Sequence, residues 1–484
     1  MKYKKVLLIA PFYQKTRFVV PVLPVGLGYI AEFLQGHNVE CRIIDLAFGN
    51  RLDLLKQETE SFSPDIIGFS MMSFEYKDVY GVIRNIKKSF SQIKIVVGGP
   101  HISSCQADVL KECREIDFGV IGEGEETMLE LAKGIEPSSI PGVVFRSNGE
   151  IKSNGLRNAS DNLDKFPFPR YVGFDLEKYN YGVSIVSSRG CPFRCIYCTA
   201  HIIRKKIRGR SAGHVVDEIE YWYRKGYREF SFQEDNLAFD KDRLLKMCDE
   251  IERRGLNDAK MMCGNGVRAD CVNRDILKRM KDAGFKRLGF GVESGNEQVL
   301  KKIKKGEKLE VIKQAVKDAC ELDFFVSLFF IVGSPGETYE KFMDSIKFAL
   351  SFPASQVYFY NLVPLPETEL FNYVEKNNYF LIKPESYLNS GGNVQDMPLP
   401  VFETPEFPAK MRIKAMKKGK ETERLVKRNI MKKRLDKLYP FNHIIAVIYT
   451  LKIVQAIDTK LMGYELFRRT IGKGRNKFRE VFYK

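Results

Sequence analysis

The alternation of short apolar runs with amphipathic helical patterns constrains the fold of this 484-residue chain more than any other feature. Residues 5–11 (KVLLIAP) form an apolar run of strand length, and residues 24–36 space their apolar side chains as a helix does. The alternation continues to a fifth apolar run at residues 117–126. Strands separated by helices form βαβ units, so this series predicts an α/β fold with a parallel sheet.

Two different patterns follow the first series. Residues 141–151 predict a hairpin that turns at Asn148-Gly149. Residues 152–180 contain two prolines and little periodicity, so we interpret them as a linker that runs over the surface. The sequence therefore predicts a Rossmann-like domain at residues 1–151, followed by this linker.

A second alternating series occupies residues 181–375. It contains six strand patterns, and a helical pattern separates each one from the next; the strand patterns are 182–188, 229–235, 260–270, 287–294, 325–338 and 356–370. Such a series predicts a (β/α) barrel or a partial barrel. In barrels of this kind the active site lies at the carboxyl ends of the strands.

The remaining residues, 376–484, are strongly basic. Residues 410–484 hold 22 Lys and Arg against 6 Asp and Glu, a net charge of +16 (22 − 6) out of +17 for the chain. Residues 409–438 predict a long basic helix that ends before Pro440. A stripe at helical spacing follows, formed by Ile444, Val447, Ile448, Leu451 and Val454. We favour a helical cap on the barrel, with contact to an anionic membrane as the alternative.

The cysteines divide into one cluster and seven scattered residues. The scattered ones are typical of buried, reduced thiols in a cytosolic protein. The sequence shows no signal-peptide pattern and no run of about 18 apolar residues, so we expect a cytoplasmic location. The cluster is RGCPFRCIYC, with Cys191, Cys195 and Cys198. Three thiolates would leave one iron of a cubane cluster open to another ligand. A zinc site with His201 as the fourth ligand is the alternative.

The spacing Cys191-x3-Cys195-x2-Cys198, with Tyr197 before the last cysteine, resembles that of the radical S-adenosylmethionine (radical SAM) enzymes. The loop also follows a first barrel strand, as it does in that family. The resemblance implies a [4Fe-4S] cluster on the three cysteines and S-adenosyl-L-methionine on the open iron. It further implies a low-potential electron donor of the flavodoxin or ferredoxin type.

The same resemblance assigns cofactor-binding roles to residues at the strand ends. The commonest form of the family's motif after the fifth strand is G-x-I-x-G-x-x-E, with Glu three residues after the last Gly. Glu337 fits this form poorly, because it lies four residues after Gly333. Any of the polar residues could instead cap a helix or close a turn. The implied contacts are Glu234, Asp235 and Asn236 for the methionine amino group, Arg268 for the carboxylate, Glu293 and Ser294 for the ribose or carboxylate, and Gly333 near the adenine.

The N-terminal half resembles the cobalamin-binding module that precedes the barrel in one large subfamily. The resemblance rests on PVGLGYIAEFL, DIIGFSMMS, VVGGPH and GEGEE in this order. It implies that Gly98, Gly99 and Gly122 contact cobalamin at the strand ends, although tight turns also need glycine. The D-x-H-x-x-G motif is absent from the loop after the first strand, so we expect no protein histidine on cobalt. An empty Rossmann-like domain is the alternative.

These resemblances predict a Rossmann-like cobalamin-binding domain, a partial (β/α)6 radical SAM barrel and a basic α-helical C-terminal region. The implied reaction is methylation of an unactivated carbon of a small-molecule or lipid substrate. The alternatives are a cobalamin-dependent radical oxidoreductase or cyclase, an RNA methylthiotransferase and a non-enzymatic cobalamin sensor. Methylthiotransferases carry a further cluster on three N-terminal cysteines, and Cys41, Cys105 and Cys113 do not match that spread well. We do not expect nucleic acid as a partner, because the tail contains no recognisable reading module.

Overall fold

The computed structural model describes residues 2–10, 22–47, 51–174, 176–179, 182–204, 206–389 and 399–434. The predicted stripe at residues 444–454 and the predicted break at Pro440 lie outside these residues. In the part of the chain that is described, no helix combines the length and the apolar character needed to cross a membrane.

The first series folds as predicted, with one additional short helix after the fourth strand. Its elements are β1 (Lys5–Ala10), α1 (Val25–Gln35), β2 (Glu40–Asp45), α2 (Arg51–Phe62), β3 (Ile66–Ser70), α3 (Tyr76–Ser89), β4 (Lys94–Gly98), α4 (Pro100–Cys105), α5 (Ala107–Glu112), β5 (Phe118–Val120), α6 (Glu125–Lys133), β6 (Val143–Ser147) and β7 (Glu150–Ser153).

These strands form one seven-stranded sheet in the order β2-β1-β3-β4-β5-β6-β7. The first five strands are parallel, and the predicted hairpin β6–β7 extends the edge in antiparallel pairing. Asn148 and Gly149 have φ of 53° and 82°, as a two-residue hairpin turn requires. Apolar side chains alternate between two cores, one on each face of the sheet.

The predicted surface linker is anchored to the protein by a few buried side chains, whereas many of its other described residues are exposed. Leu163, Phe166 and Tyr171 are all buried. The ring of Phe166 lies 5.3 Å from that of Phe33 on α1, and it belongs to the core on that face of the sheet. The segment has apolar aromatic residues without periodicity, so its composition allows burial although its pattern predicts no helix or strand.

The second series forms the parallel sheet predicted for a partial barrel. Its strand order is β15-β14-β13-β12-β11-β8, so β8 and β15 are the edge strands. The elements are β8 (Val183–Ile185), β9 (Ser188–Arg189), α7 (Ala200–Ile203), β10 (Arg208–Gly209), α8 (Ala212–Arg224), β11 (Glu229–Phe232), α9 (Lys241–Arg253), β12 (Lys260–Val267), α10 (Arg274–Asp282), β13 (Phe285–Glu293), α11 (Glu297–Lys302), α12 (Leu309–Glu321), β14 (Phe325–Val332), α13 (Tyr339–Leu350) and β15 (Gln356–Asn361).

A two-stranded ribbon closes the base of the cysteine loop. Strand β9 pairs with β10 in antiparallel orientation, and Arg189 lies opposite Arg208 in the register. The chain therefore leaves the ribbon at residue 189, forms the loop at residues 190–207, and returns to the ribbon at residue 208.

The C-terminal region contributes α14 (Glu369–Lys376), α15 (Pro384–Tyr387) and α16 (Ala409–Arg434). Helix α16 packs on β15, as the cap interpretation predicts, and confirms the predicted basic helix over its described part. The carboxylate of Glu423 accepts a hydrogen bond of 2.7 Å from the backbone N–H of Phe359. A side chain of α16 thus satisfies a donor of the edge strand.

Candidate active site

The three clustered cysteines lie in the loop that the β9–β10 ribbon closes. All three are free thiols; Cys195 is buried, whereas Cys191 and Cys198 are half-buried. The N–H of Ile196 donates to the carbonyl of Ile303 at 3.1 Å, which fixes the loop to the turn after α11. Sequence-adjacent cysteines are therefore held on a packed loop at the carboxyl end of the barrel.

The electrostatic environment keeps these thiols protonated in the protein alone. Burial raises the pKa of all three, and that of Cys198 to about 11. The cations Lys305 and Arg268 act in the opposite direction on Cys195. Because thiolates are the metal-binding form, loading the loop with iron must release protons.

The arrangement does not support the zinc alternative. Among the described residues, no three His, Cys, Asp or Glu side chains are placed to hold a metal ion. Zinc requires four donors that converge on one point, whereas a four-iron cluster places each thiolate on a different iron. The Nδ1 atom of His201 is buried and has no hydrogen-bond partner in the described structure. Among the described residues, His201 is thus not gathered with the three cysteines as a zinc site requires.

A second cluster on Cys41, Cys105 and Cys113 does not fit the structure. Cys41 lies in the core on one face of the N-terminal sheet, and Cys113 lies in the core on the other face. One cluster cannot bind thiolates on both faces of a sheet, which removes the structural basis for the methylthiotransferase alternative.

The residues predicted at the end of the second barrel strand have different surroundings. Glu234 is buried and accepts a hydrogen bond from the Ser187 hydroxyl, and burial raises its pKa to about 6. Asn236 is also buried, and its amide donates to the sulfur of Cys271 at 3.5 Å. Asp235 accepts from the N–H of Gly190 at 3.2 Å and so contacts the cysteine loop directly.

Arg268, at the end of the third barrel strand, contacts the cysteine loop from the other side. Its guanidinium lies 3.3 Å from the ring centroid of Phe193, between two of the cysteines. It also pairs with Asp270 at 2.8 Å and donates to the carbonyl of Lys305 at 2.7 Å. These contacts hold the guanidinium against the loop, close to Cys195.

The predicted pair at the end of the fourth strand has a partner that the sequence did not reveal. Lys305 is buried, and its Nζ pairs with Glu293 at 3.2 Å and with Glu307 at 3.3 Å. Ser294 accepts from the N–H of Asn296 at 3.2 Å and so closes the turn before α11. The K-x-E spacing is the only sequence signal of the Lys305–Glu307 pair, and it is too common to indicate a site.

Gly333 contacts the C-terminal helix. It has φ of 100°, and the buried guanidinium of Arg412 on α16 occupies the place of a Cβ atom. Glu337 accepts backbone hydrogen bonds from Gly333 at 2.7 Å and from Ser334 at 3.2 Å. The carboxylate of Glu337 thus stabilises this turn through backbone hydrogen bonds, which agrees with its poor fit to a cofactor-binding pattern.

One cavity of about 590 Å³ lies between the two sheets. Gly99 has φ of 99°, and a Cβ there would lie 2.9 Å from the backbone N and O of Met71, so this turn requires glycine. The structure brings the glycine-rich loops and the cysteine loop to the same cavity. The residues that line it include Ser70, Gly98, Gly99, Ser103 and Gly122 from the N-terminal side, and Cys198, Thr199 and Asp235 from the barrel side.

Two family profiles match the chain in the regions that form this cavity. The radical SAM superfamily matches residues 185–349, and the B12 binding domain matches residues 16–132. The fold, the cysteine loop and the two matches together define a radical SAM enzyme with an N-terminal B12-binding domain.

Individual relatives narrow this class. The chain is 31% identical over 400 residues to an uncharacterized methyltransferase of Pyrococcus horikoshii, covering 79% of this chain and 85% of the relative. It is 27% identical over 459 residues to cytidylyl-2-hydroxyethylphosphonate methyltransferase of Streptomyces wedmorensis, covering 80% and 84%. The chain therefore belongs to the family of cobalamin-dependent radical SAM methyltransferases.

A solved structure agrees with the fold. The radical SAM methyltransferase TsrM of Kitasatospora setae, with cobalamin and a [4Fe-4S] cluster bound, superposes with a TM-score of 0.68. The two proteins are 19% identical, and the match covers 77% of this chain and 75% of TsrM. The order of a B12-binding sheet followed by a partial barrel is thus shared with an experimental structure.

Proposed function

We propose that this chain binds a [4Fe-4S] cluster on Cys191, Cys195 and Cys198, S-adenosyl-L-methionine on the open iron, and cobalamin in the cavity between the two sheets. We propose methylation of an unactivated carbon of a small-molecule or lipid substrate as its reaction. The observation that carries the proposal is the shared cavity, which places the glycine-rich strand ends beside Cys198.

The residues around the cavity fit this set of cofactors. Gly98 and Gly99 line the cavity and leave the backbone there accessible to a ligand. When bound, the cluster and S-adenosyl-L-methionine supply a 5′-deoxyadenosyl radical, and cobalamin supplies the methyl group.

The chain's own contribution is to hold these groups and to exclude water. Asp235 faces the cavity and also binds the cysteine loop, so it is the best placed of the predicted acidic residues to meet the methionine amino group. Arg268 supplies a buried positive charge beside the loop, as a carboxylate partner requires. Glu234 and Asn236 lie behind Asp235 as supporting residues.

Anaerobic reconstitution tests this proposal directly. We expect the chain, given iron, sulfide, hydroxocobalamin and a low-potential reductant, to release 5′-deoxyadenosine from S-adenosyl-L-methionine. Cys191→Ala should abolish the release, whereas Cys320→Ala, a half-buried cysteine on α12, should not. Equal release by the wild type and Cys191→Ala would contradict the proposal.

Two further measurements on the reconstituted protein distinguish the alternative reactions. Iron content near four per chain is expected for one cluster, and about eight would favour a methylthiotransferase. Once a substrate is known, transfer of a labelled methyl group from S-adenosyl-L-methionine distinguishes methylation from oxidation or ring closure. A substrate that loses hydrogen and gains no label would support the oxidoreductase or cyclase alternative.

We further propose a cytoplasmic protein that meets an anionic membrane surface through its basic helix. Helix α16 carries six exposed basic residues that would attract anionic lipid; they are Lys410, Lys414, Lys417, Lys418, Arg424 and Lys433. The opposite face packs on the barrel, so these charges are held on one side of the protein.

Flotation with vesicles tests the membrane contact. We expect full-length protein to float with anionic vesicles and not with neutral ones, and Lys417→Glu/Lys418→Glu to float less. Lys241→Glu/Lys246→Glu, an equal charge change on the exposed face of α9, is the matched control. Identical flotation of the two double variants would contradict a role for α16.

A further inference from the structure

Buried ion pairs connect the base of the cysteine loop to the N-terminal sheet. Arg189 pairs with Glu123 at 3.1 Å and with Glu125 at 2.6 Å. Arg208, which faces Arg189 across the β9–β10 ribbon, also pairs with Glu123. The arginine side chains are 10% and 4% exposed, so water screens these pairs little.

Both arginines have further contacts that fix their direction. The guanidinium of Arg189 lies 5.0 Å from the ring centroid of Tyr29 and 5.2 Å from that of Phe166. Arg208 donates to the carbonyl of Ser160 at 2.6 Å. The ribbon is therefore attached to helix α1 and to the packed segment between the domains, as well as to the two carboxylates.

The carboxylates belong to the loop that also lines the cavity. Glu123 lies between β5 and α6, next to Gly122, and Glu125 is the first residue of α6. One short segment thus touches the proposed cobalamin cavity and holds both strands below the cysteines. Movement of the cysteine loop relative to this cavity would require breaking the ion pairs.

We propose that Arg189, Arg208, Glu123 and Glu125 form a clamp that sets the position of the cluster loop relative to the cobalamin-binding domain. Arg189 is the central positioning residue, because it binds both carboxylates and lies two residues before Cys191. This inference rests on the proposed function for its purpose, but the ion pairs and their effect on the loop are properties of the chain alone.

Hydrogen–deuterium exchange of the full-length chain without cofactors tests the clamp. Glu125→Gln keeps the size of the side chain and removes its charge, so the loop should open more often. We expect peptides from residues 190–207 to exchange about tenfold faster, with β12–β15 unchanged. Glu126→Gln is the matched control, because the neighbouring Glu126 pairs with Lys165 at the surface. Unchanged exchange in the loop, or faster exchange throughout the barrel, would overturn the proposal.

A spectroscopic measurement on the reconstituted protein tests the positioning role. A nearby reduced cluster speeds the relaxation of cob(II)alamin, so a looser loop should let the cobalamin signal saturate at lower microwave power in electron paramagnetic resonance. In samples matched for iron and cobalamin content, we expect this change in Glu125→Gln and a smaller one in Glu125→Asp. Unchanged saturation would overturn the positioning role. If neither cofactor binds to the wild type, the proposed function fails and the exchange experiment still decides on the clamp.

Discussion

Glu75 is a buried carboxyl group at the start of helix α3. One of its oxygens accepts from the N–H of Met72 at 3.4 Å, and the other has no hydrogen-bond partner among the described residues. Burial raises its pKa to about 8, and the hydrogen bond from Met72 opposes that shift without cancelling it. The folded protein therefore favours the neutral form of this side chain.

The raised pKa of Glu75 predicts that stability falls as pH rises. Between about pH 4.5 and about 8 the folded state keeps a proton that the unfolded chain releases. The free energy of unfolding should then decrease by up to about 1.4 kcal/mol per pH unit. Glu75→Gln should remove this decrease, measured by urea unfolding from pH 5 to 8.5. Glu60→Gln, at an exposed position on α2, should keep the slope of the wild type; a wild-type slope in Glu75→Gln would contradict the prediction.

The residue scale also shows where local sequence suffices. The cysteine loop was identified from ten consecutive residues, because the ligands of one cluster can be close in sequence. The sequence does not indicate the ion pair of Lys305 and Glu307, because burial and neighbouring side chains become known only from the fold. The three-dimensional neighbours of Glu293 had to be known before its role could be assigned.

Helix α16 belongs to the barrel rather than to a separate tail. Its Arg412 is fully buried, and the guanidinium donates to the carbonyls of Phe402 and, at 3.1 Å, of Val332. The same group fills the space beside Gly333 at the end of β14. A turn that faces the barrel mouth is thus supported from below by the C-terminal helix.

Replacing Arg412 should destabilise the whole protein. Arg412→Leu leaves two buried carbonyls without their donor and cannot fill the flat space beside Gly333, so we expect a loss of about 3 kcal/mol. Lys410→Ala, two residues earlier and exposed, should change the stability little. Chemical unfolding of both variants measures the difference, and equal stabilities would refute this role for Arg412.

At the scale of elements, long periodic segments were predicted well and short ones were not. The pattern of residues 94–101 predicts a strand that overlaps the first two residues of helix α4 (Pro100–Cys105), because six residues contain too little periodicity to identify a helix. Strands β9 and β10, with two residues each, have no pattern at all. The contact between Arg412 and Val332 joins residues 80 positions apart, which no local signal reveals.

The molecule as a whole is organised around one cavity between two sheets. Its two sides come from segments that are far apart in sequence, and parallel strands direct the loops of each sheet toward it. The sequence identified the glycine loops and the cysteine loop separately. That these loops lie at one cavity depends on contacts such as the ion pair of Glu125 with Arg189, two residues that are 64 positions apart.

A side chain at Gly98 should block the cavity without disturbing the fold. No atom lies within 4 Å of a Cβ built at this residue, which lines the cavity. Gly98→Leu should therefore weaken binding of hydroxocobalamin at least about tenfold, measured by equilibrium dialysis, with nearly unchanged stability. Gly81→Leu, on helix α3 and also in open space, should bind as the wild type does. Unaltered affinity in Gly98→Leu would place cobalamin elsewhere.

The contact between Glu423 and Phe359 has a consequence for self-association. Strand β15 is an edge strand, and without α16 its outer side could template the addition of a strand from another molecule. Helix α16 lies along this edge and occupies a donor at Phe359. A chain that ends at residue 408 should therefore form oligomers in light scattering, while the full-length chain does not. We therefore expect α16 to protect the edge of the barrel sheet from self-association, independently of any binding of anionic lipid by its solvent face.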